Sequence, residues 1–346
     1  MKVRKILALA LIAALCLAAA SCGGARQPEN PEDTTRTVSD FYGNEVTVPQ
    51  KVEKIATGKT VATHLVAIVG GPECLACLGA GFNYKEGNLC KEVYPGLENL
   101  QEMGDSDLNV ETVLALAPDV VLISSAAPEG NDTGNLLKEA GIAVAYYNLA
   151  SSADLIKLVE MTSAILGTEQ AAANAKKYVD YYKKAMEETT PASSPENAPV
   201  VAYSRGSRGI CGPNSMPGEW IKALGAVNAG EVLGIKPFVG EVTVEEFMNV
   251  NPEVIFCESA AAKDIFAGSE YAGIKAVQEG KVYIVPYGMV CSGLATAENP
   301  LVWYFAANIL FPETYNYDME AMLAEYYKTF YNYELTQAQI DAALYK

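Results

Sequence analysis

The chain has 346 residues, with 25 Lys+Arg against 42 Asp+Glu, one His and 8 Cys. A net charge of −17 argues against nucleic-acid and anionic-membrane partners, because both polyanions would repel such a surface. The single histidine, His64, excludes a histidine-rich zinc site, and a length of this order predicts about two domains of ~150 residues each.

The first 21 residues carry Lys2, Arg4 and Lys5 and no acid, and an apolar run fills residues 6–20. That run is short of the ~20 residues a membrane span needs, so residues 1–21 are predicted to be an export signal. Ser21-Cys22-Gly23-Gly24 resembles a bacterial lipobox, although Ala19 stands where Leu is more usual. The resemblance implies that Cys22 is acylated and becomes the new N-terminus. Each buried CH₂ contributes about 0.8 kcal/mol, so several acyl chains hold firmly. Residues 22–36, rich in Gly, Pro, Asn, Asp and Glu, form a flexible tether. The protein is expected on the outer face of the cytoplasmic membrane, or its periplasmic side.

Residues 37–41 and 45–49 flank Gly43-Asn44 and predict a hairpin. Strands are then expected at 54–57, 74–79, 120–124 and 143–148, alternating with helices at 60–70, 109–117, 133–141 and 152–167. Such alternation indicates an α/β unit on a mainly parallel sheet. Residues 168–189 lack Gly and Pro and predict one long helix, ended by the Pro/Ser loop at 191–199. The pattern then restarts, with strands at 200–204, 254–258 and 281–286 and helices at 218–225, 243–250 and 271–279. Helices at 300–310, 318–331 and 336–344 close the chain. The divisions are therefore 37–167, 168–190, 191–317 and 318–346: a lobe, a connecting helix, a second lobe and C-terminal helices.

A weak internal repeat supports two lobes. Val110-Glu111 through Pro118-Asp119 into an apolar strand matches Val244-Glu245 through Pro252-Glu253. In both, an acid starts a helix and a proline stops it.

These segments, the opening hairpin, Lys51 to Ala56, Glu279 to Tyr287 and Phe330 to Thr336 resemble a known family. It comprises the substrate-binding lipoproteins of ABC importers for iron–siderophore complexes, haem or cobalamin. The resemblance runs from about Thr37 to the C-terminus. It implies two Rossmann-like lobes joined by a rigid helix, ligand in the cleft between them, and no cofactor or catalysis. The implied partners are a permease dimer with cytoplasmic ATPase subunits, served by a monomer. One Glu per lobe docks the permease in this family, and the matching positions are Glu111 and Glu245.

Open α/β lobes bind ligands beyond the carboxyl ends of their strands. The expected contacts are Lys59, Phe82 and Tyr84 from the first lobe, and Tyr203, Arg205, Arg208, Tyr287 and Met289 from the second. Arg205 and Arg208 suit bidentate binding of carboxylates, catecholates or haem propionates. The aromatic rings suit a large planar ligand. His64 falls within a helix, where a packed polar residue is the commoner role; it and Met289 are the candidates for haem iron. The expected ligand is a ferric siderophore or haem, with cobalamin or another metal chelate as the alternative.

Cys74, Cys77, Cys90, Cys211, Cys257 and Cys291 remain after the signal and the lipid site, and their pairing does not follow from spacing. For the Cys74/Cys77 pair, buried thiols rather than a redox pair or zinc site are the expected reading. The sequence has no nucleophile elbow, phosphate loop or dinucleotide fingerprint, so an enzyme is not the leading reading; an adhesin, the other alternative, would show neither a cleft nor stabilisation by a small ligand.

Overall fold

The computed structural model describes residues 34–86, 88–103, 108–192, 197–206 and 208–346. The export signal, Cys22 and residues 22–33 of the tether lie outside them. Strands β1 (Thr35–Ser39) and β2 (Glu45–Pro49) form the antiparallel hairpin, with Gly43 at φ 85° in its turn.

The first lobe is a parallel sheet in the order β3 (Ile55–Thr57), β4 (Val120–Ser124), β5 (Ala143–Tyr147). Helices α1 (Thr60–Gly70), α2 (Leu89–Val93), α3 (Val110–Leu116), α4 (Asp132–Glu139) and α5 (Ser152–Leu166) surround it. Ser151 and Asp154 cap α5 reciprocally and Gly167 ends it in the left-handed conformation.

Helix α6 (Glu169–Thr189) connects the lobes, N-capped by Thr168. It buries Ala171, Ala175, Tyr178, Tyr182 and Ala185, a stripe at helical spacing, and leaves its Lys and Glu residues outward.

The second lobe has the order β11 (Val282–Ile284), β10 (Val254–Cys257), β6 (Val200–Arg205), β7 (Gly209–Cys211), β9 (Val239–Glu241). Strand β8 (Val227–Asn228) also pairs β6. Pairs β6–β10 and β10–β11 are parallel, whereas β7 pairs antiparallel to β6 and β9. Helices α7 (Met216–Ala223), α8 (Ala229–Val232), α9 (Val244–Val250), α10 (Ala260–Asp264) and α11 (Lys275–Gln278) flank it. Helices α12 (Asn299–Leu310), α13 (Met319–Tyr331) and α14 (Gln337–Ala343) follow. One apolar cluster runs through both lobes, from Leu65, Phe82 and Tyr94 to Tyr203, Met289 and Tyr327.

Two expectations need correction. Residues 74–79 make no ladder strand; a 3₁₀ turn at Pro72–Cys74 leads into single bridges, Ile55 to Leu75 and Leu78 to Glu102. The expected helix at 271–279 is a 3₁₀ turn, Ser269–Tyr271, followed by the short α11. Among the described residues, no helix is long and apolar enough to cross a membrane.

Candidate functional site

Strand β3 ends at Thr57, and the chain turns through Gly58 to Lys59, the N-cap of α1. A hydroxyl knot fixes this turn. Thr57 Oγ1 lies 2.6 Å from Thr63 Oγ1, which donates to the Lys59 carbonyl and accepts from Gly79 N at 3.0 Å. A Cβ at Gly79 would strike the Lys59 carbonyl, so glycine is required for this close approach. Lys59 is half-buried and has no carboxylate partner among the described residues.

Phe82 follows Gly81 (φ 78°) and is 1% exposed. Its ring stacks on His64 with centroids 4.5 Å apart. His64 is sealed from solvent with both ring nitrogens unpartnered, and burial lowers its pKa to about 3. The imidazole is therefore neutral and acts in packing here. Tyr84 is half-buried; its hydroxyl donates to the Tyr94 carbonyl at 2.8 Å and accepts from Leu97 N.

In the second lobe, Tyr203 near the end of β6 is fully buried, edge-on to Trp220 and 3.3 Å from Cys291 Sγ. Its phenol is thus held in the core. Arg205 is exposed, but Glu258 already balances its charge: Arg205 Nε lies 3.0 Å from one carboxylate oxygen and Gly206 N donates to the other. The guanidinium also covers the Phe238 ring at 5.2 Å. Arg208 is exposed beside a small hollow lined by Ser204, Phe247 and Tyr271, with no carboxylate partner among the described residues.

The loop after β11 carries Tyr287, 40% exposed, and Met289, which is buried. Met289 N donates to Glu298 at 3.0 Å and to the Tyr327 hydroxyl at 2.7 Å. Its carbonyl faces Cys90 Sγ of the first lobe at 4.0 Å. Tyr94 meets Tyr331 edge-on, and Ser152 N donates to Glu219 at 2.7 Å, closing further contacts between the lobes.

The structure therefore packs Phe82, Tyr203 and Met289 into the junction, while Lys59, Tyr84, Arg205, Arg208 and Tyr287 keep accessible surface. Grooves larger than the hollow beside Arg208 lie elsewhere, including one of about 580 Å³ between the hairpin and β5. All six thiols are free; five are buried and Cys74 is half-buried. Burial pushes the Cys90 and Cys257 thiols up to about 12.

Sequence reasoning did not single out Glu298, Tyr327 or Cys90 for this junction. The signal for Glu298 was present: it is the single charged residue in the apolar stretch 292–310.

Glu111 and Glu245 are exposed in the first turns of α3 and α9. Neither is used to cap its own helix. Asn109 accepts from Thr112 N at 2.9 Å, and Thr243 pairs reciprocally with Glu246. Both carboxylates are without a partner among the described residues.

Two α/β lobes on one connecting helix, meeting through their strand-end loops, define a two-lobed solute-binding protein. A family model described as periplasmic binding protein matches residues 94–287, and the chain belongs to that family. It is a binding protein and not an enzyme. The chain is similar to YvrC of Bacillus subtilis (strain 168), an uncharacterized ABC transporter substrate-binding lipoprotein. They are 25% identical over 294 residues, covering 80% of this chain and 90% of the relative. A periplasmic solute binding protein from Veillonella parvula superposes with a TM-score of 0.77 at 26% identity, covering 90% of this chain and 97% of that one. The molybdate-bound MolA of Haemophilus influenzae superposes with a TM-score of 0.72 at 18% identity, covering 87% and 99%.

Proposed function

We propose that the protein is an extracytoplasmic, lipid-anchored component of an ABC importer that captures a metal complex bearing anionic groups between its lobes. The observation that carries the charge of the ligand is the pair Lys59 and Arg208. They are cations without carboxylate partners among the described residues, one at the strand ends of each lobe, in a chain with a large acidic excess. Tyr84, Arg205 and Tyr287 complete the accessible wall, with Phe82, Tyr203 and Met289 behind it. A ferric siderophore or haem is the first reading, and cobalamin or another metal chelate its alternative. A compact metal oxyanion is the second reading, favoured by the approach of Met289 to Cys90 and by the similarity to a molybdate-binding protein.

The free carboxylates of Glu111 and Glu245 then dock the loaded protein on the permease, whose cytoplasmic ATPase partners drive release. Replacing both by Ala is expected to abolish uptake while leaving ligand affinity unchanged.

The ligand is tested by thermal shift and calorimetry with ferric siderophores, haem, cobalamin and molybdate. Ligand at one hundred times Kd stabilises by about 2.7 kcal/mol. One of these species is expected to do so, and to lose affinity on Lys59→Ala or Arg208→Ala. Stabilisation only by solutes that lack both a metal and an anionic group, or full affinity in both variants, overturns the reading.

A further inference from the structure

We infer that Glu298 is the positioning residue for the loop at 287–292, and that its proton sets how firmly that loop is held. This rests on the reading of the loop as part of the ligand-binding wall.

Glu298 precedes α12 and is fully buried. One carboxylate oxygen accepts from Met289 N at 3.0 Å and from the Tyr327 hydroxyl at 2.6 Å. The other accepts from Gly288 N at 3.2 Å. The loop runs so close that a Cβ at Gly288 would collide with the Tyr327 hydroxyl and with this carboxylate. The clasp thereby fixes the Met289 carbonyl that faces Cys90 in the other lobe.

The titratable groups around Glu298 come from every element packed on it. Tyr326, Tyr327 and Tyr331 face it from α13, Tyr178 from α6, Cys90 and Tyr94 from the first lobe, and Tyr287 from the loop. Among the described residues, no cation faces it. The ionised form has hydrogen bonds but no counter-charge, and burial raises the carboxyl pKa to about 7.

When the loop opens, water reaches the carboxyl and returns it to its ordinary range. The open state therefore sheds its proton at lower pH than the closed state. The opening constant should rise about tenfold per pH unit between the open and closed pKa values, on the order of 100-fold altogether, and level above about 7.

Amide hydrogen exchange at Gly288, Met289 and Val290 in the ligand-free full chain, measured from pH 5 to 8.5 and corrected for intrinsic rates, tests this. The wild type should show that rise, and Glu298→Gln should be flat. Tyr327→Phe removes one donor from the charged form, so its levelling point should move to higher pH. A flat or falling wild-type profile, or a wild-type slope retained in Glu298→Gln, overturns the assignment. If that variant does not fold, an unmoved levelling point in Tyr327→Phe overturns it instead. Adding a ferric siderophore, haem, cobalamin or molybdate as probe separates the two readings. A species that binds elsewhere, without protecting these amides, removes the loop from the ligand wall and leaves the role of Glu298 intact.

Discussion

Asp119 and Glu253 occupy equivalent places in the two lobes. Each follows the proline after a seven-residue helix, and each ties the start of the neighbouring parallel strand. Asp119 N donates to the Lys54 carbonyl at 2.9 Å, and its carboxylate accepts from Glu53 N and Lys54 N at 2.7 and 2.8 Å. Glu253 N donates to the Val200 carbonyl at 2.8 Å, and its carboxylate accepts from Val200 N at 3.4 Å. The internal repeat is thus a shared way of registering a strand, as well as a similarity of letters.

The two acids should not be equally costly to remove. Asp119→Ala leaves two backbone donors without their charged acceptor and should cost about 2 kcal/mol. Glu253→Ala loses one long bond and a solvent-exposed pair with Lys275, and should cost less than about 1 kcal/mol. Denaturant titration of both variants compares them; equal losses would remove the distinction.

The same passages end their helices in the left-handed region, at Ala117 (φ 44°) and Asn251 (φ 48°). Asparagine tolerates this conformation at less cost than alanine. Ala117→Gly should therefore raise stability by roughly 0.5–1 kcal/mol. A fall in Tm would contradict it.

Tyr182 on α6 hydrogen-bonds Ser152 and Asn299, joining helices that flank different lobes. Tyr182→Phe keeps the ring and strips both buried partners, so a loss of about 1–2 kcal/mol is expected. Double-mutant cycles with Ser152→Ala should show coupling between the two sites; strict additivity would show that the bond contributes nothing.

His64 gives the stability profile an acid limb. Its folded pKa, about 3, lies below the ordinary value, so the unfolded chain takes up the proton first. Stability should fall as pH drops from about 6.5 towards 3, by up to ~1.4 kcal/mol per unit. His64→Leu should flatten that limb in denaturant titrations at pH 4, 5 and 7. Parallel profiles for the two proteins would assign the acid limb to other groups.

Much of the fold was legible where local and tertiary preferences agree. Residues 168–189 carry strong helix formers and no breaker, and α6 spans nearly all of them. The strands at 120–124 and 143–147 are apolar and bounded by clear turns. Residues 74–79 misled because they are apolar but lack β-branched side chains, and Pro72 starts a 3₁₀ turn just before them. Strands β7 and β9 were invisible: each has three residues, one of them Gly, and they exist only through the pairing of β7 with β6 and of β9 with β7.

The strand-end loops were likewise readable, but side-chain direction within them was not. Tyr203, Phe82 and Met289 turn into the junction, because burying an apolar ring or thioether outweighs display to solvent. In the sequence, Glu298 stands two residues before the helix expected at 300–310, with only its apolar surroundings to mark it as buried. Its burial depends on Tyr327 and the Gly288 turn, which lie far from it in sequence or on another element.

Helix α6 is a rod about 30 Å long, gripped near both ends. Asn174 holds the Val69 carbonyl near its start, while Tyr317 and Tyr315 hold the Glu188 and Thr189 carbonyls at its finish. A rod clamped in this way deflects as a beam, spreading curvature over many turns. Bending such a beam stores elastic work, so the connector opposes any displacement of one lobe against the other.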